Sequence, residues 1–216
     1  MSARFGKLIL MDENLNFDVL AEDNIRILAV PNENFKKPLC VILVGYPGAG
    51  KTHLVERLKQ KFPFTVLSEE DMTSFLSPRA TIFKRGAVEV FKLALKTIEH
   101  LLKKGKSCIY DANIKTREQR DLIKKAVEFA GGNYLLVLVN YPKEECYERS
   151  QKQNFEISRG EAKGFIVDRD FFEFEVASTH LPAPNEQHID YDGQNEEAPL
   201  QLYPVLEERF KQSEQY

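Results

Sequence analysis

The sequence predicts an α/β fold with a mostly parallel, doubly wound sheet. Three observations predict it. The run Cys40-Val41-Ile42-Leu43-Val44 is apolar and rich in β-branched residues, and Pro38 and Gly45 bound it. That is the signature of a strand buried on both faces. Directly after it, Gly45-Tyr46-Pro47-Gly48-Ala49-Gly50-Lys51-Thr52 leads into a segment with Leu54, Val55 and Leu58 at helical spacing, so a glycine-rich turn joins strand to helix. Further strand-like runs then alternate with amphipathic helical patterns, the order that builds a parallel sheet with helical crossovers.

A chain of 216 residues with 43% hydrophobic content suits one α/β domain with a real core. The net charge of −3 provides no global basic field for long nucleic acid, which leaves only a local basic cleft open. Cys40, Cys108 and Cys146 are far apart, and the first two lie in apolar runs. They read as buried free thiols in a reducing compartment. His53, His100, His180 and His188 show no metal-ligand spacing with them. No long uncharged apolar segment occurs near the N-terminus, so neither a signal peptide nor a membrane span is expected, and the predicted location is cytoplasmic.

Residues 1–37 form an N-terminal extension ahead of a main domain over 38–216. Within the extension, Lys7 to Met11 and Ile25 to Val30 each read as a short strand, together a hairpin on a sheet edge.

The glycine-rich turn fits G-x-x-x-x-G-K-[ST] at every required position. Backbone N–H groups from Gly45 to His53, together with the N-terminus of the following helix, can surround phosphate oxygens. Lys51 reaches the β- and γ-phosphates as a point charge, and Thr52 offers its hydroxyl to Mg²⁺. The motif therefore predicts ATP with Mg²⁺ as cofactors.

Phe64 to Ser68 reads as a second strand ending in Glu69-Glu70-Asp71. Ligands of open α/β sheets bind at the carboxyl ends of strands. Asp71 has two readings there: a base accepting the proton of an attacking hydroxyl, or, with Ser68 as the other candidate, an N-cap of a helix over Met72 to Leu76. Arg79 is a candidate contact for a substrate anion. Arg85 to Lys104 is a long amphipathic helix. Ser107 to Asp111 is a third strand ending in an acid, which places Asp111 as a metal-shell residue and Asn113 just beyond it facing the ligand. Thr116 and Gln119 have the spacing of a capping box. Arg117 and Arg120 fall in that helix's first turn, where they oppose the dipole, and this suggests an anionic ligand. Tyr134 to Val139 is a fourth buried strand. Lys143 to Gln151 reads as helical, and the polar stretch after it suggests a lid over about 149–164. Arg149 and Arg159 there would bring positive charge to the transferred phosphoryl group. His188 to Asp192 reads as a last strand and Leu200 to Lys211 as a closing helix.

Taken in order, GYPGAGKT, the acid after the second strand, YDANIKTREQR and the arginines after LLVLVNYP resemble P-loop kinases of the polynucleotide-kinase and zeta-toxin type. The resemblance covers about Pro38 to Asp192. It implies the P-loop NTPase fold with a small lid, ATP at Lys51 and Thr52, and Asp71 as the base. The polynucleotide kinases place an arginine shortly after that acid. Here position 74 is a serine and the next arginine is Arg79.

The expected activity is transfer of the γ-phosphoryl group of ATP to a hydroxyl of a nucleotide, a polynucleotide end or a small metabolite. The alternative is an ATPase switch or nucleotide-binding module with no acceptor. A GTPase is disfavoured, because Asn140-Tyr141-Pro142-Lys143 does not match N-K-x-D.

Overall fold

A computed structural model describes residues 15–76, 85–161, 166–195 and 197–214. In chain order the elements are α1 (Phe17–Ile27), β1 (Leu39–Val44), α2 (Lys51–Lys61), β2 (Thr65–Ser68), α3 (Glu69–Leu76), α4 (Arg85–Lys103), β3 (Cys108–Asp111), α5 (Arg117–Phe129), β4 (Asn133–Asn140), α6 (Lys143–Ser158), α7 (Arg169–Ser178), β5 (Ile189–Asp192) and α8 (Ala198–Glu214). The five strands form one sheet in the order β2-β3-β1-β4-β5, and every pairing is parallel. The expected α/β class is therefore observed. Among the described residues, no helix is long and apolar enough to cross a membrane.

The sheet is buried on both faces because its central strands carry no polar alternation. All six residues of β1 are buried. Side chains alternate across a strand. Cys40, Ile42 and Val44 accordingly join a core with Tyr110, Leu136 and the inner faces of α1, α4 and α5. Leu39, Val41 and Leu43 join the opposite core with Val137, Leu54 of α2, Phe172 of α7 and Leu206 of α8. Cys40 and Cys108 face each other across β1 and β3, and all three cysteines are buried free thiols.

The N-terminal segment departs from the sequence expectation. Lys7 to Met11 lies outside the described residues, and Ile25–Ile27 ends a helix instead of opening a strand. Asn16 decides this: its side chain accepts from the Asp18 N–H at 3.1 Å and the Val19 N–H at 3.3 Å, a strong N-cap. Leu20, Ala21 and Asn24 then share the buried face, at i, i+1 and i+4. The helix docks on α4 through His100, whose Nδ1 lies 2.7 Å from Glu22 and whose Nε2 lies 3.0 Å from Asp18.

Part of the stretch expected to form a lid is helical. Residues 150–158 continue α6 as helix, and 162–165 lie outside the described residues. The polar side chains of that stretch are used in packing. Ser150 is buried and donates to the Cys146 carbonyl at 2.9 Å. Asn154 clamps Val167, accepting from its N–H and donating to its carbonyl, each at 2.8 Å.

Candidate active site

The site lies where β1 and β3 end. Gly48 and Gly50 have φ of 79° and 97°, left-handed values that only glycine adopts without strain. Space forbids a side chain as well: a Cβ at Gly48 would lie 2.1 Å from the Cys146 carbonyl oxygen of α6. Gly50 precedes α2, and no side chain caps that helix, so its first N–H groups are left for a ligand. Tyr46 and Pro47 form the outer curve of the loop and Ala49 is buried beneath it. His53 is exposed in the first turn of α2.

Lys51 Nζ donates to the Gly45 carbonyl at 2.7 Å and the Tyr46 carbonyl at 3.1 Å, so the ammonium sits in the loop itself. Burial lowers its pKa, while the nearby charges of Asp111, Glu175 and Glu69 pull the other way. Asp111, at the end of β3, is hydrogen-bonded to Thr52. Burial raises its carboxyl, partly offset by that bond and by Lys51. A hydroxyl and a carboxylate side by side suit Mg²⁺, which takes few protein oxygens and fills its octahedron from phosphate and water. Among the described residues no group of three or more His, Cys, Asp or Glu side chains could hold a metal alone. The ion would therefore be held jointly with a nucleotide.

The two lid arginines separate. Arg149 stacks over the Tyr141 ring at 4.6 Å, and its Nη2 would be 3.4 Å from a Cβ on Gly50, so it lies over the loop. Arg159 is further along α6, about 15 Å by helical rise. It pairs with Glu161 at 2.6 Å and stacks on Phe155. The structure does not bring it to the loop.

Glu69 and Asp71, the first and last of the three acids after β2, fall on different sides of α3. Glu69 opens α3, accepts from the Asn113 N–H at 3.0 Å, and its charge reaches Lys51 and Tyr110. Asp71 is two residues on, about 200° round the helix. It lies on the exposed side and lines a different cavity, between α1 and α3. Its N–H donates to Ser68 Oγ at 3.3 Å, so Ser68 is the cap.

Asn113 follows β3, and its Nδ2 donates to Glu175. Arg120 is corrected, and Arg117 stays on the surface. Arg120 is buried and forms a bidentate pair with Glu186, at 2.6 and 2.8 Å, plus a 2.7 Å bond to the His180 carbonyl. Arg117 is exposed near Asp121 at 3.9 Å and Asn185 at 3.4 Å. Acidic and carbonyl partners on the 180–186 segment thus offset the dipole cost that had suggested a ligand. Arg79 lies outside the described residues.

Glu175 and Lys115 were missed. Glu175 is 3% exposed, and its other oxygen meets Lys115 Nζ at 2.5 Å. The available signal was a glutamate inside the stripe Phe172, Glu175, Val176 and Thr179, the i, i+3, i+4, i+7 face of α7 that should be apolar. Beside these residues is a cavity of about 170 Å³ lined by Glu69, Phe91, Tyr110, Asn113, Lys115 and Gln119.

A parallel sheet with a phosphate-binding loop after its central strand, a loop lysine and a paired Thr52–Asp111 defines a P-loop nucleotide-binding protein. The chain belongs to the AAA domain family, whose model matches residues 40–165, more than half of its length. Solved structures share the fold. Chaetomium thermophilum Kti12, in complex with ADP-AlF3, is similar at 16% identity and a TM-score of 0.61, over 80% of this chain and 99% of that one. The Mycobacterium tuberculosis APS kinase CysC, in complex with AMPPNP and APS, matches at 22% identity and 0.53, over 79% and 96%. A gluconokinase from Sinorhizobium meliloti matches at 14% identity and 0.54, over 84% and 99%. No curated protein sequence matches the chain.

Proposed function

We propose that the protein transfers the γ-phosphoryl group of ATP to a hydroxyl of a small acceptor held in the cavity beside Glu69. One observation carries this reading. A polar-lined cavity of about 170 Å³ adjoins a carboxylate whose charge reaches the loop lysine, and a simple hydrolytic switch has no use for it.

In this reading Lys51 exchanges the Gly45 and Tyr46 carbonyls for β- and γ-phosphate oxygens. The N–H groups of the loop and of α2 hold the remaining phosphate charge. Mg²⁺, held by Thr52 and the Asp111 side, would neutralise charge on the phosphates. The acceptor oxygen attacks the γ-phosphorus, the bond to the β–γ bridging oxygen breaks, ADP leaves, and the acceptor proton passes to Glu69. Arg149 supplies positive charge as it develops. Asn113, Lys115 and Gln119 orient the acceptor, and Glu175 holds the first two in place. Grouped on the segment from the end of β3 into the first turn of α5, they would contribute through positioning.

The structures that share the fold include a gluconokinase and an APS kinase in complex with APS. The acceptor is therefore best found by offering classes: sugars and polyols, nucleosides and nucleotides, and 5′-hydroxyl oligonucleotides, with γ-labelled ATP. Label on an acceptor, absent with Lys51→Ala, supports the kinase. Label recovered only as free phosphate supports the ATPase alternative.

A further inference from the structure

Arg149 is held by a ring alone. Its guanidinium lies 4.6 Å from the centre of the Tyr141 ring, and among the described residues no oxygen acceptor takes its N–H groups. Two other arginines also stack on rings, Arg159 on Phe155 and Arg169 on Tyr147. Each of those is spent on a carboxylate as well, Glu161 at 2.6 Å and Glu144 at 3.1 Å. The difference matters chemically. A carboxylate partner occupies the donor fork and offsets the charge, whereas an aromatic face holds the flat cation and leaves its in-plane N–H groups open.

Tyr141 is itself fixed. It follows β4 directly and is half-buried against the core that carries Val139 and Cys146. Its carbonyl accepts from the Cys146 thiol at 3.6 Å. The turn after β5 closes on the ring: a Cβ on Gly193 would lie 2.7 Å from Tyr141 Cδ2 and 3.1 Å from the Ala49 carbonyl oxygen, so no side chain fits there. That turn is tied down in two places. The Gly193 N–H donates to the Asn140 carbonyl at 2.8 Å, and Gln194 Nε2 donates to Glu145 of α6 at 3.0 Å.

We infer that Tyr141 is a positioning residue that acts through Arg149. Its ring holds the guanidinium over Gly50 with the donor fork unspent, so that a bidentate grip on the terminal phosphate of bound ATP is pre-organised. Gly193 backs the ring. The inference rests on the phosphoryl-transfer reading for the role of Arg149, and it adds the residue that keeps that cation in place.

Calorimetric titration of the full chain with MgATP and with MgADP tests it, because the ratio of the two affinities reads the terminal phosphate. Arg149→Met should lower the preference for ATP. Tyr141→Leu should lower it by about three- to thirty-fold, the range of a cation–π contact. Tyr141→Phe, which keeps the ring face, should retain the wild-type ratio. In the Arg149→Met background, Tyr141→Leu should change nothing further. A wild-type ratio in Tyr141→Leu or Arg149→Met, an equal loss in Tyr141→Phe, or the same loss with Arg149 already removed would each overturn the inference. Arg149→Lys keeps the charge without the flat face and should lose preference too, and a wild-type ratio there would equally overturn it. That half-buried substitution keeps the test decisive should Tyr141→Leu fail to fold. The titrations need no acceptor. A chain that shows the expected ratios but labels no acceptor overturns the transfer reading alone, and unchanged ratios overturn this inference whether or not transfer occurs.

Discussion

At the scale of single residues the phosphate loop was legible because its chemistry is local. Glycine, lysine and threonine at fixed spacing determine where N–H groups, an ammonium and a hydroxyl end up, whatever surrounds them. Gly48 adds a constraint no motif states: α6 sits against it. Gly48→Ala should therefore both strain a left-handed backbone and push on the Cys146 carbonyl, a loss of about 2–5 kcal/mol in a denaturant titration, with weakened ATP binding. Asp111 gives a pH test. Its carboxyl is raised by burial, so the folded chain holds that proton more tightly than the unfolded chain does. Stability is therefore lost as pH rises from the unfolded value near 3.8 through the folded one. Asp111→Asn should be more stable than wild type at pH 7 without nucleotide, the gain should close below about pH 4, and the variant should bind Mg-ATP less well. Thermal melts across pH 3–8 check the first two statements. That Glu69 rather than Asp71 turns toward Asn113 was not legible, because it depends on the phase of α3, and phase is set by Glu69 entering the helix directly from β2.

At the scale of elements, long periodic helices such as α4 and α5 were readable, and the capping box at Thr116 and Gln119 appears as its spacing required. Part of what was not readable involves polar side chains whose partners lie further along the chain. Asn154 is satisfied by Val167. Arg120 looked like a ligand until Glu186, far along the chain, was seen to pair with it. Arg120 lowers the Glu186 carboxyl below its ordinary value, so this contribution is present above the unfolded pKa and is lost as pH falls through the folded one. Arg120→Ala leaves Glu186 unpaired and should cost about 3–5 kcal/mol by urea titration, whereas the double change Arg120→Met with Glu186→Leu should recover most of it.

At the scale of the whole molecule, parallel sense followed from alternating strands and helices, yet how the closing helix docks depends on packing that no local pattern shows. Phe210 of α8 meets Phe35, Phe62 and Phe64 at ring centroid distances of 4.9, 5.6 and 5.2 Å. It thereby ties the last helix to the entrances of β1 and β2. Phe210→Ala should lower stability by about 3–5 kcal/mol in chemical unfolding while leaving ATP affinity near wild type, since the loop is at the other ends of those strands.

The central claim is that phosphoryl transfer happens on the Glu69 side of α3. The measurement that tests it most directly is transfer from γ-labelled ATP to the acceptor pools by wild type, Glu69→Gln and Asp71→Asn side by side. Wild type should label an acceptor, Glu69→Gln should lose about 10²-fold or more of that rate with ATP still bound, and Asp71→Asn should lose far less. Loss of transfer in Asp71→Asn with Glu69→Gln near wild type would contradict it.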